Sequence, residues 1–326
     1  MTGDSVFLTG ASGFIGGHVL DALLDAGYSV RALVRTPGLG ARPRLSEVVG
    51  DVTRSGELVG AMRGCRFVVH CAAAYSFAPR ERARIHATNV LGTASLLEAA
   101  RLAGVSRAVV TSSSATVGPA RPGRLATEDD HADVDGRSAY HDSKIAAERA
   151  ALAARVPALL ILPTAPVGAR DWKPTPTGTA LLTFLRGRVV ASVDGGLNIV
   201  AVRDVAAAHV AALEAGEPRR RYLVAGENLS FDELWARLAA ISGRRAPRLR
   251  MPHAAAHLAA LVDEARCRVV PEARPVVPLE GVRMARHRMF VTSRRAEAEL
   301  GVRPSSVDLA LADAVAWYRD NGYVAA

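Results

Sequence analysis

The chain has 326 residues, of which 49% are apolar, enough for one large domain that carries a smaller second part. No uninterrupted apolar run reaches about 18 residues, the length a membrane helix needs, and the first predicted strand leaves no room for a signal peptide. We therefore expect a cytoplasmic protein without a membrane span. The net charge of +9 comes mainly from dispersed arginines without a nucleic-acid-binding motif, so we expect a small anionic ligand and no nucleic acid.

Short β-branched runs alternate with helical patterns through the first two-thirds of the chain, which is typical of parallel βαβ units. The predicted strands of this part are Ser5–Thr9, Ser29–Val34, Glu47–Gly50, Phe67–His70, Arg107–Thr111 and Ala158–Leu162. A first helix spans Ile15 to about Ala26, and the longest further helices are Ala87–Ala103 and Tyr140–Ala154. The pattern predicts an α/β fold, a Rossmann-type doubly wound parallel sheet.

The pattern changes after Pro163. A proline-rich loop and a short amphipathic segment to Leu185 come first. A strand at Ile199–Val202, a helix at Asp204–Ala215 and a strand at Arg221–Val224 then return to the α/β style. The rest is predicted to be mainly helical, with a proline-rich stretch at Pro271–Pro278. We predict a nucleotide-binding domain of residues 1–165 with 189–225, and a substrate-binding part of residues 166–188 and 226–326.

A glycine-rich turn joins the first predicted strand to the first helix. In Gly10-Ala-Ser-Gly13-Phe-Ile-Gly16, the first glycine permits the tight turn, the second lets the backbone approach a pyrophosphate, and the third allows close packing of helix on strand. The helix N-terminus then faces the phosphates. The turn predicts dinucleotide binding, and the residues expected to contact the cofactor are Gly10, Ser12, Gly13, Phe14, Ile15 and Gly16.

The residue after the second predicted strand indicates which dinucleotide is bound. A carboxylate there would accept the ribose hydroxyls of NAD, but the chain has Arg35 and no acid before Glu47. Arg35 can pair with a 2′-phosphate through its planar guanidinium, so we expect NADP(H), with NAD(H) kept as the alternative. Asp51 is expected either to accept a hydrogen bond from the adenine amino group or to cap the next helix.

Tyr140 and Lys144 are the predicted catalytic acid/base pair. Four residues apart on a helix, the phenol and the ammonium lie on one face, and the lysine charge favours the phenolate. Lys144 can also hold the nicotinamide ribose. The run Ser112-Ser-Ser114 ends the fifth predicted strand, where ligands bind in a doubly wound sheet, so one of its hydroxyls can meet the substrate oxygen.

With these motifs the chain resembles the extended short-chain dehydrogenase/reductase family over nearly its whole length. The matching motifs are Thr9-Gly-Ala-Ser-Gly-Phe-Ile-Gly16, Gly50-Asp51, His70-Cys-Ala-Ala73, Asn89-Val-Leu-Gly-Thr93, Thr111-Ser-Ser113 and Tyr140-x-x-x-Lys144. The segments Ile161–Gly168, Lys173–Gly178 and Gly196–Val205 are most similar to the branch called hopanoid-associated sugar epimerases, which is itself similar to the dihydroflavonol reductases.

The resemblance implies a seven-stranded parallel sheet and a Ser–Tyr–Lys triad. The family spacing, read back from Gly118, selects Ser113 as the triad serine, with Ser114 as the alternative. The resemblance further implies cofactor contacts from Val52, Ala72, Ala73, Pro163 and Thr164. It also implies a homodimer formed through the predicted helices Ala87–Ala103 and Tyr140–Ala154.

The residues favour reduction over the other reactions of this family. The sugar dehydratases it contains carry an acidic pair directly after the triad hydroxyl, where this chain has Ser114-Ala115. Its nucleotide-sugar enzymes place an arginine on the diphosphate, whereas Arg203 occurs too late and is expected to begin a helix. We expect NADPH-dependent reduction of a ketone or aldehyde of a small organic metabolite. The alternatives are a sugar epimerase that retains its cofactor and a non-catalytic nucleotide sensor.

Four histidines are interpreted as structural. His70 and His86 are expected to be packed in or near the sheet. His253 and His257 share a helix face, but no third ligand follows at a suitable spacing, so no metal site is predicted.

Overall fold

Seven strands form the central sheet: β1 (Ser5–Thr9), β2 (Ser29–Val34), β3 (Leu45–Val49), β4 (Phe67–His70), β5 (Arg107–Thr111), β6 (Ala158–Pro163) and β10 (Arg221–Val224). They are all parallel, in the order β10-β6-β5-β4-β1-β2-β3. The computed structural model describes residues 3–75, 81–120, 123–135, 138–270, 282–283 and 285–324. The predicted Rossmann-type doubly wound sheet is confirmed.

Helices cover both faces of this sheet. They are α1 (Phe14–Asp25), α2 (Ser55–Met62), α3 (Arg82–His86), α4 (Gly92–Leu102), α5 (Ala139–Ala153) and α7 (Val202–Glu214). Side chains alternate along a strand, so Val6 and Leu8 of β1 face α1 and α7, whereas Phe7 faces α2 and α4. Both faces are buried, which is why the central strands are nearly continuous apolar runs.

A smaller part packs at one end of the sheet. Its sheet contains β7 (Ala165–Val167), β9 (Gly196–Ala201), β11 (Glu227–Ser230) and β13 (Arg288–Met289), and β8 (Ala191–Ser192) pairs with β12 (Leu249–Arg250). Its remaining elements are α6 (Pro176–Leu185), α8 (Phe231–Ser242), α9 (His253–Val269), α10 (Arg294–Leu300) and α11 (Val307–Asp320). A third apolar core, with the stacked rings of Phe184 and Trp235, holds α6, α8 and α11 together.

Several predicted elements differ from the observed ones. Strand β3 begins two residues earlier than predicted, and the helix expected at Ala87–Ala103 is divided into α3, a π-helical turn at Ala87–Leu91, and α4. The strand expected at Ile199–Val202 is β9, which pairs within the smaller sheet, whereas α7 packs on α1 and β10 joins the seven-stranded sheet. Pro271–Pro278 lies outside the described residues. None of the described helices is long and apolar enough to span a membrane.

Candidate active site

The carboxyl ends of β1, β4 and β5 meet at one edge of the sheet, and the predicted site residues collect there. Strands β1 and β5 flank β4, with Thr9 opposite His70 and His70 opposite Val110. This edge is where a doubly wound sheet binds its ligand, because the strand order reverses beside β1. Helix α1 follows β1 after a short turn, and Lys144 of α5 contacts the carbonyl oxygen of Thr111 at the end of β5.

Two glycines of the turn that follows β1 have no space for a side chain. Gly10 has a φ of +78°, and a Cβ on it would lie 2.6 Å from the backbone of Ala72. A Cβ on Gly16 would lie 2.0 Å from the carbonyl oxygen of Gly10. Because α1 begins at Phe14, the first N–H groups of the helix lack carbonyl partners within it and point towards the turn. Ser12 and Gly13 are exposed at its mouth, so the turn is shaped to receive an anion.

Arg35 and Asp51 lie together beyond β2 and β3. Arg35 is exposed, and its charge helps to lower the pKa of the Asp51 carboxyl, although the hydrogen bonds from Thr53 to that carboxyl are the larger cause. Asp51 Oδ1 accepts from Thr53 N at 2.9 Å and from Thr53 Oγ1 at 2.8 Å. The N-cap of α2 is Arg54, so the expectation that Asp51 itself caps this helix is wrong. Asp51 instead shapes the turn before it.

Tyr140 and Lys144 stand in the first two turns of α5, where Ser138 accepts from the N–H of His141 and caps the helix. The ammonium lies 6.0 Å from the centre of the Tyr140 ring. Lys144 is buried, its Nζ donates to the carbonyl oxygen of Thr111 at 3.0 Å, and burial lowers its pKa to about 8. The Tyr75 ring packs edge-on against Tyr140 at 4.3 Å between ring centres.

The three serines after β5 have different partners. Ser112 is buried and donates to Glu148 Oε2 at 2.6 Å. Ser113 is half-buried, and its Oγ accepts from the N–H of Ala115 at 3.2 Å, so its hydroxyl hydrogen is not used in that bond. Ser114 begins a short 3₁₀ turn. Ser112 is thus bound to α5, which leaves Ser113 and Ser114 as the candidates for a substrate contact.

Asn89 is a structural residue of the site to which the sequence analysis assigned no role. Its amide donates to the carbonyl oxygen of Ala74 at 2.9 Å and to Ser143 Oγ at 2.9 Å, and its Oδ1 accepts from Ala74 N at 2.7 Å. It therefore ties the segment after β4 to α5. The motif Asn89-Val-Leu-Gly-Thr93 was the available signal, but the π-helical turn that aims Asn89 depends on these distant partners.

His70 is neutral and buried beneath the site. Thr93 Oγ1 uses its hydrogen on the carbonyl oxygen of Asn89, so His70 Nε2–H must donate to Thr93 and Nδ1 must accept from Thr9 Oγ1, at 3.0 and 2.7 Å. Burial lowers the pKa of His70 to about 3. The packed position expected for His70 is confirmed, whereas His86 is exposed on α3 and that expectation is wrong.

The other expected cofactor residues lie around the same edge. Ala72 N donates to Thr9 Oγ1 at 3.3 Å, and Ala73 is exposed next to it. Pro163 ends β6, and Thr164 Oγ1 donates to Asn198 Oδ1 at 2.9 Å. Val52 is buried against the start of α4. Its side chain is part of the core, so any cofactor contact from Val52 comes from its backbone.

The described part of the chain holds no group of three or more His, Cys, Asp or Glu side chains placed to bind a metal ion. His253 and His257 remain a pair on α9.

Comparison with known proteins identifies the family. The family model described as the NAD-dependent epimerase/dehydratase family matches residues 6–225. The chain belongs to this family. It is an oxidoreductase of the extended short-chain dehydrogenase/reductase type, which uses NAD or NADP. The match covers the central sheet, the glycine turn and α5, and ends just after β10.

Two curated relatives match almost the whole chain. A protein of Synechocystis sp., named provisionally as a dihydroflavonol 4-reductase, is 39% identical over 98% of this chain and 96% of its own length. The "Sterol demethylase protein B" of Methylococcus capsulatus is 32% identical over 98% of this chain and 100% of its own length.

Solved structures share the fold. The crystal structure of gox2253 has a TM-score of 0.86 and 34% identity, covering 99% of this chain and 100% of that one. A nucleoside-diphosphate-sugar epimerase from Pseudomonas aeruginosa has a TM-score of 0.81 and 26% identity, covering 99% of each chain. The fold is therefore common to relatives named for different reactions, and only the site residues can choose between them.

Proposed function

We propose that the protein reduces a ketone or aldehyde of a small, uncharged organic metabolite with NADPH. The observation that carries this proposal is the position of Arg203. A nucleotide-sugar enzyme of this family needs an arginine on the substrate diphosphate. Arg203 instead lies exposed on α7, with its guanidinium 3.4 Å from the carboxylate of Asp313. Strand β9, just before it, is mostly buried, and Asn198 there bonds to Thr164 and Gly226.

The residues at the sheet edge fit a dinucleotide. Close backbone packing at Gly10 and Gly16 keeps the turn tight at the N-terminus of α1, which offers N–H groups to a pyrophosphate. Arg35 supports NADP over NAD, because an exposed guanidinium at the end of β2 can take a 2′-phosphate. We expect Ala72, Ala73, Pro163 and Thr164 to contact the cofactor between this turn and α5.

The arrangement on α5 and after β5 supports the following catalytic roles. The bound cofactor supplies the hydride. Tyr140 donates the proton that the developing alkoxide needs, and Ser113 hydrogen-bonds that oxygen as its charge grows. Lys144 keeps the proton transfer favourable through its nearby charge and holds the ribose hydroxyls. Its bond to the Thr111 carbonyl fixes the ammonium before any ligand binds.

The names of the relatives support an apolar substrate. A dihydroflavonol and a sterol are both largely apolar ring compounds, and neither carries a diphosphate. Sugar epimerisation is the second candidate, favoured by the likeness to the Pseudomonas aeruginosa epimerase. An epimerase must hold its substrate while the keto intermediate turns over, which uses binding energy remote from the reacting carbon. A reductase needs only to present one face of the carbonyl to the hydride.

The two candidates differ in what happens to the cofactor. We expect loss of NADPH absorbance in a one-to-one ratio with product when the protein is given a panel that contains a dihydroflavonol, a 3-keto steroid and simple aryl ketones. UDP-glucose and UDP-galactose serve in a parallel epimerisation assay. Conversion of a nucleotide sugar without net NADPH loss would overturn the proposal and establish the epimerase.

A further inference from the structure

A buried ion pair lies one helical turn beyond Lys144 on α5. Arg221 Nε lies 2.5 Å from Glu148 Oε1, and both side chains are 6% exposed. Glu148 is four residues after Lys144 on α5, so it occupies the same face one turn further along. Removing two charges from water is costly, and a buried pair is weak evidence for a gain in stability. Such pairs are better attested as devices that fix register.

Two residues of α5 hold two successive residues at the end of β5. Lys144 Nζ donates to the carbonyl oxygen of Thr111 at 3.0 Å, and Ser112 Oγ donates to Glu148 Oε2 at 2.6 Å. Shifting α5 along β5 would break both contacts together. Ser112 and Glu148 therefore fix the position of α5, which carries Tyr140, along the direction of β5.

The guanidinium of Arg221 extends the link to the loops beyond Ser113. It donates to the carbonyl oxygens of Asp130, at 2.9 Å, and of Glu128. It also donates to Thr116, at 3.3 Å to the carbonyl oxygen and 3.2 Å to Oγ1. Ser113 lies between Ser112 and Thr116, so both ends of its segment are connected to the same ion pair.

We propose that Glu148, held by Arg221, is a positioning residue: through Ser112 it sets α5 against the end of β5, so that Tyr140 and Lys144 face Ser113 in a fixed geometry. The proposal rests on the reductase function proposed above. Glu148 touches neither substrate nor cofactor in this scheme. Glu148 affects turnover because it positions Tyr140, Lys144 and Ser113. A displacement of a reacting group by about 1 Å can lower the rate roughly a hundredfold.

The first test compares three single variants at a temperature well below unfolding. We expect Glu148→Gln to lower kcat at least tenfold, because the amide cannot balance Arg221. Ser112→Ala, which keeps both charges, should lower kcat about three- to tenfold with little change in Tm. Asp204→Asn is the matched control: Asp204 is a buried carboxylate that bonds Ser305, so it should lower Tm and leave kcat unchanged. A folded Ser112→Ala and Glu148→Gln with parental kcat would overturn the proposal.

The second test separates position from stability. The double variant Glu148→Leu/Arg221→Met leaves no unpaired charge, so its Tm should exceed that of Glu148→Gln, although the carbonyl oxygens of Glu128, Asp130 and Thr116 lose a donor. The positioning role predicts that kcat stays at least tenfold low, with a smaller change in the Kd for NADPH. Recovery of kcat together with Tm would show that the pair is only structural. If the double variant does not fold, Ser112→Ala decides the question by its kcat.

Tyr140→Phe is measured in parallel. Full activity in Tyr140→Phe would contradict the proposed function. Loss of activity there, combined with parental kcat in Ser112→Ala and Glu148→Gln, would contradict only the positioning role.

Discussion

The two ends of the proposed cofactor site are built differently. At the catalytic end, Lys144, Glu148, Ser112 and His70 are all less than a tenth exposed, and each is bonded to another element. At the other end, Arg35 is exposed, beyond β2. The comparison indicates that burial and hydrogen bonds fix the geometry around the groups proposed for catalysis. The proposed preference for NADPH, by contrast, depends on the charge of Arg35, which is exposed to solvent.

The largest effect is expected at the buried end. Tyr140→Phe should lose roughly 10²- to 10⁴-fold in kcat, the usual worth of a positioned proton donor, while binding NADPH nearly normally. Steady-state kinetics with a reducible ketone, together with a fluorescence titration of NADPH, measures both quantities. Tyr75→Phe is the matched control, since its ring packs on Tyr140 and its phenol has no assigned role. Equal losses of kcat in Tyr140→Phe and Tyr75→Phe would contradict the assignment of Tyr140 as the proton donor.

A smaller and selective effect is expected at the exposed end. Arg35→Ala should lower the preference for NADPH over NADH, since a charge-assisted hydrogen bond is worth about 1.5–3 kcal/mol, or roughly 10- to 150-fold. The value of kcat with saturating cofactor should hardly change. The ratio of kcat/KM for the two cofactors measures the effect, with the exposed Arg63→Ala as the control. A parent protein that uses both cofactors equally well would contradict the assignment of Arg35.

An intermediate effect is expected in the glycine turn, where close packing of α1 on β1 should contribute to stability. Gly16→Ala places a Cβ 2.0 Å from the Gly10 carbonyl oxygen, so α1 must move off β1 at a cost of about 1–3 kcal/mol. Gly17→Ala is the matched control, because the nearest atom there lies at an ordinary 3.4 Å and alanine favours the helix. Denaturant unfolding should show Gly16→Ala destabilised and Gly17→Ala unchanged or stabilised. The same loss in both would mean that close packing at Gly16 is not the cause.

The last effect is a dependence of the unfolding free energy on pH, to which the buried His70 contributes. Burial lowers the pKa of His70 to about 3, whereas in the unfolded chain it titrates near 6.5. Below pH 6.5 the unfolded chain binds a proton that the folded protein does not. His70 therefore removes about 1.4 kcal/mol of unfolding free energy for each unit by which pH falls, down to its folded pKa. Above pH 6.5 this contribution is constant.

Unfolding in urea between pH 7 and pH 5 measures this slope. His70→Gln should be less stable at pH 7 but should show a shallower fall with pH. His86→Gln, at an exposed position, should keep the parental slope. If the slope of unfolding free energy against pH were the same in His70→Gln as in the parent, the folded protein would not favour the neutral form of His70.

The sequence predicted the limits of most central strands well for a physical reason. Strands β1, β2, β4 and β5 are apolar runs bounded by glycine or polar residues, so their limits were predicted correctly. Strand β3 is half-exposed, so its apolar pattern is weaker, and it begins two residues and ends one residue before the predicted strand. The glycine turn and the spacing of Tyr140 and Lys144 are local patterns, which a single sequence displays.

The features that the sequence did not predict depend on distant partners. Asn89 acquires its role from Ala74 and Ser143, and the π-helical turn around it cannot be read from local propensity. Glu148 and Arg221 come from α5 and β10, and neither residue carries a motif. The short strand β7 forms only by pairing with β9, so no periodicity marks it. Tertiary contacts, and not local pattern, decide these positions.

The most direct test of the central claim follows the hydride itself. The protein is given NADPH carrying deuterium at C4, in each of its two stereochemical forms, with the ketone of the panel that turns over fastest. The account predicts one deuterium on the new carbinol carbon from one form only, and one NADP⁺ released for each product molecule. Product that carries no deuterium from either form, with NADPH unchanged after many turnovers, would contradict it.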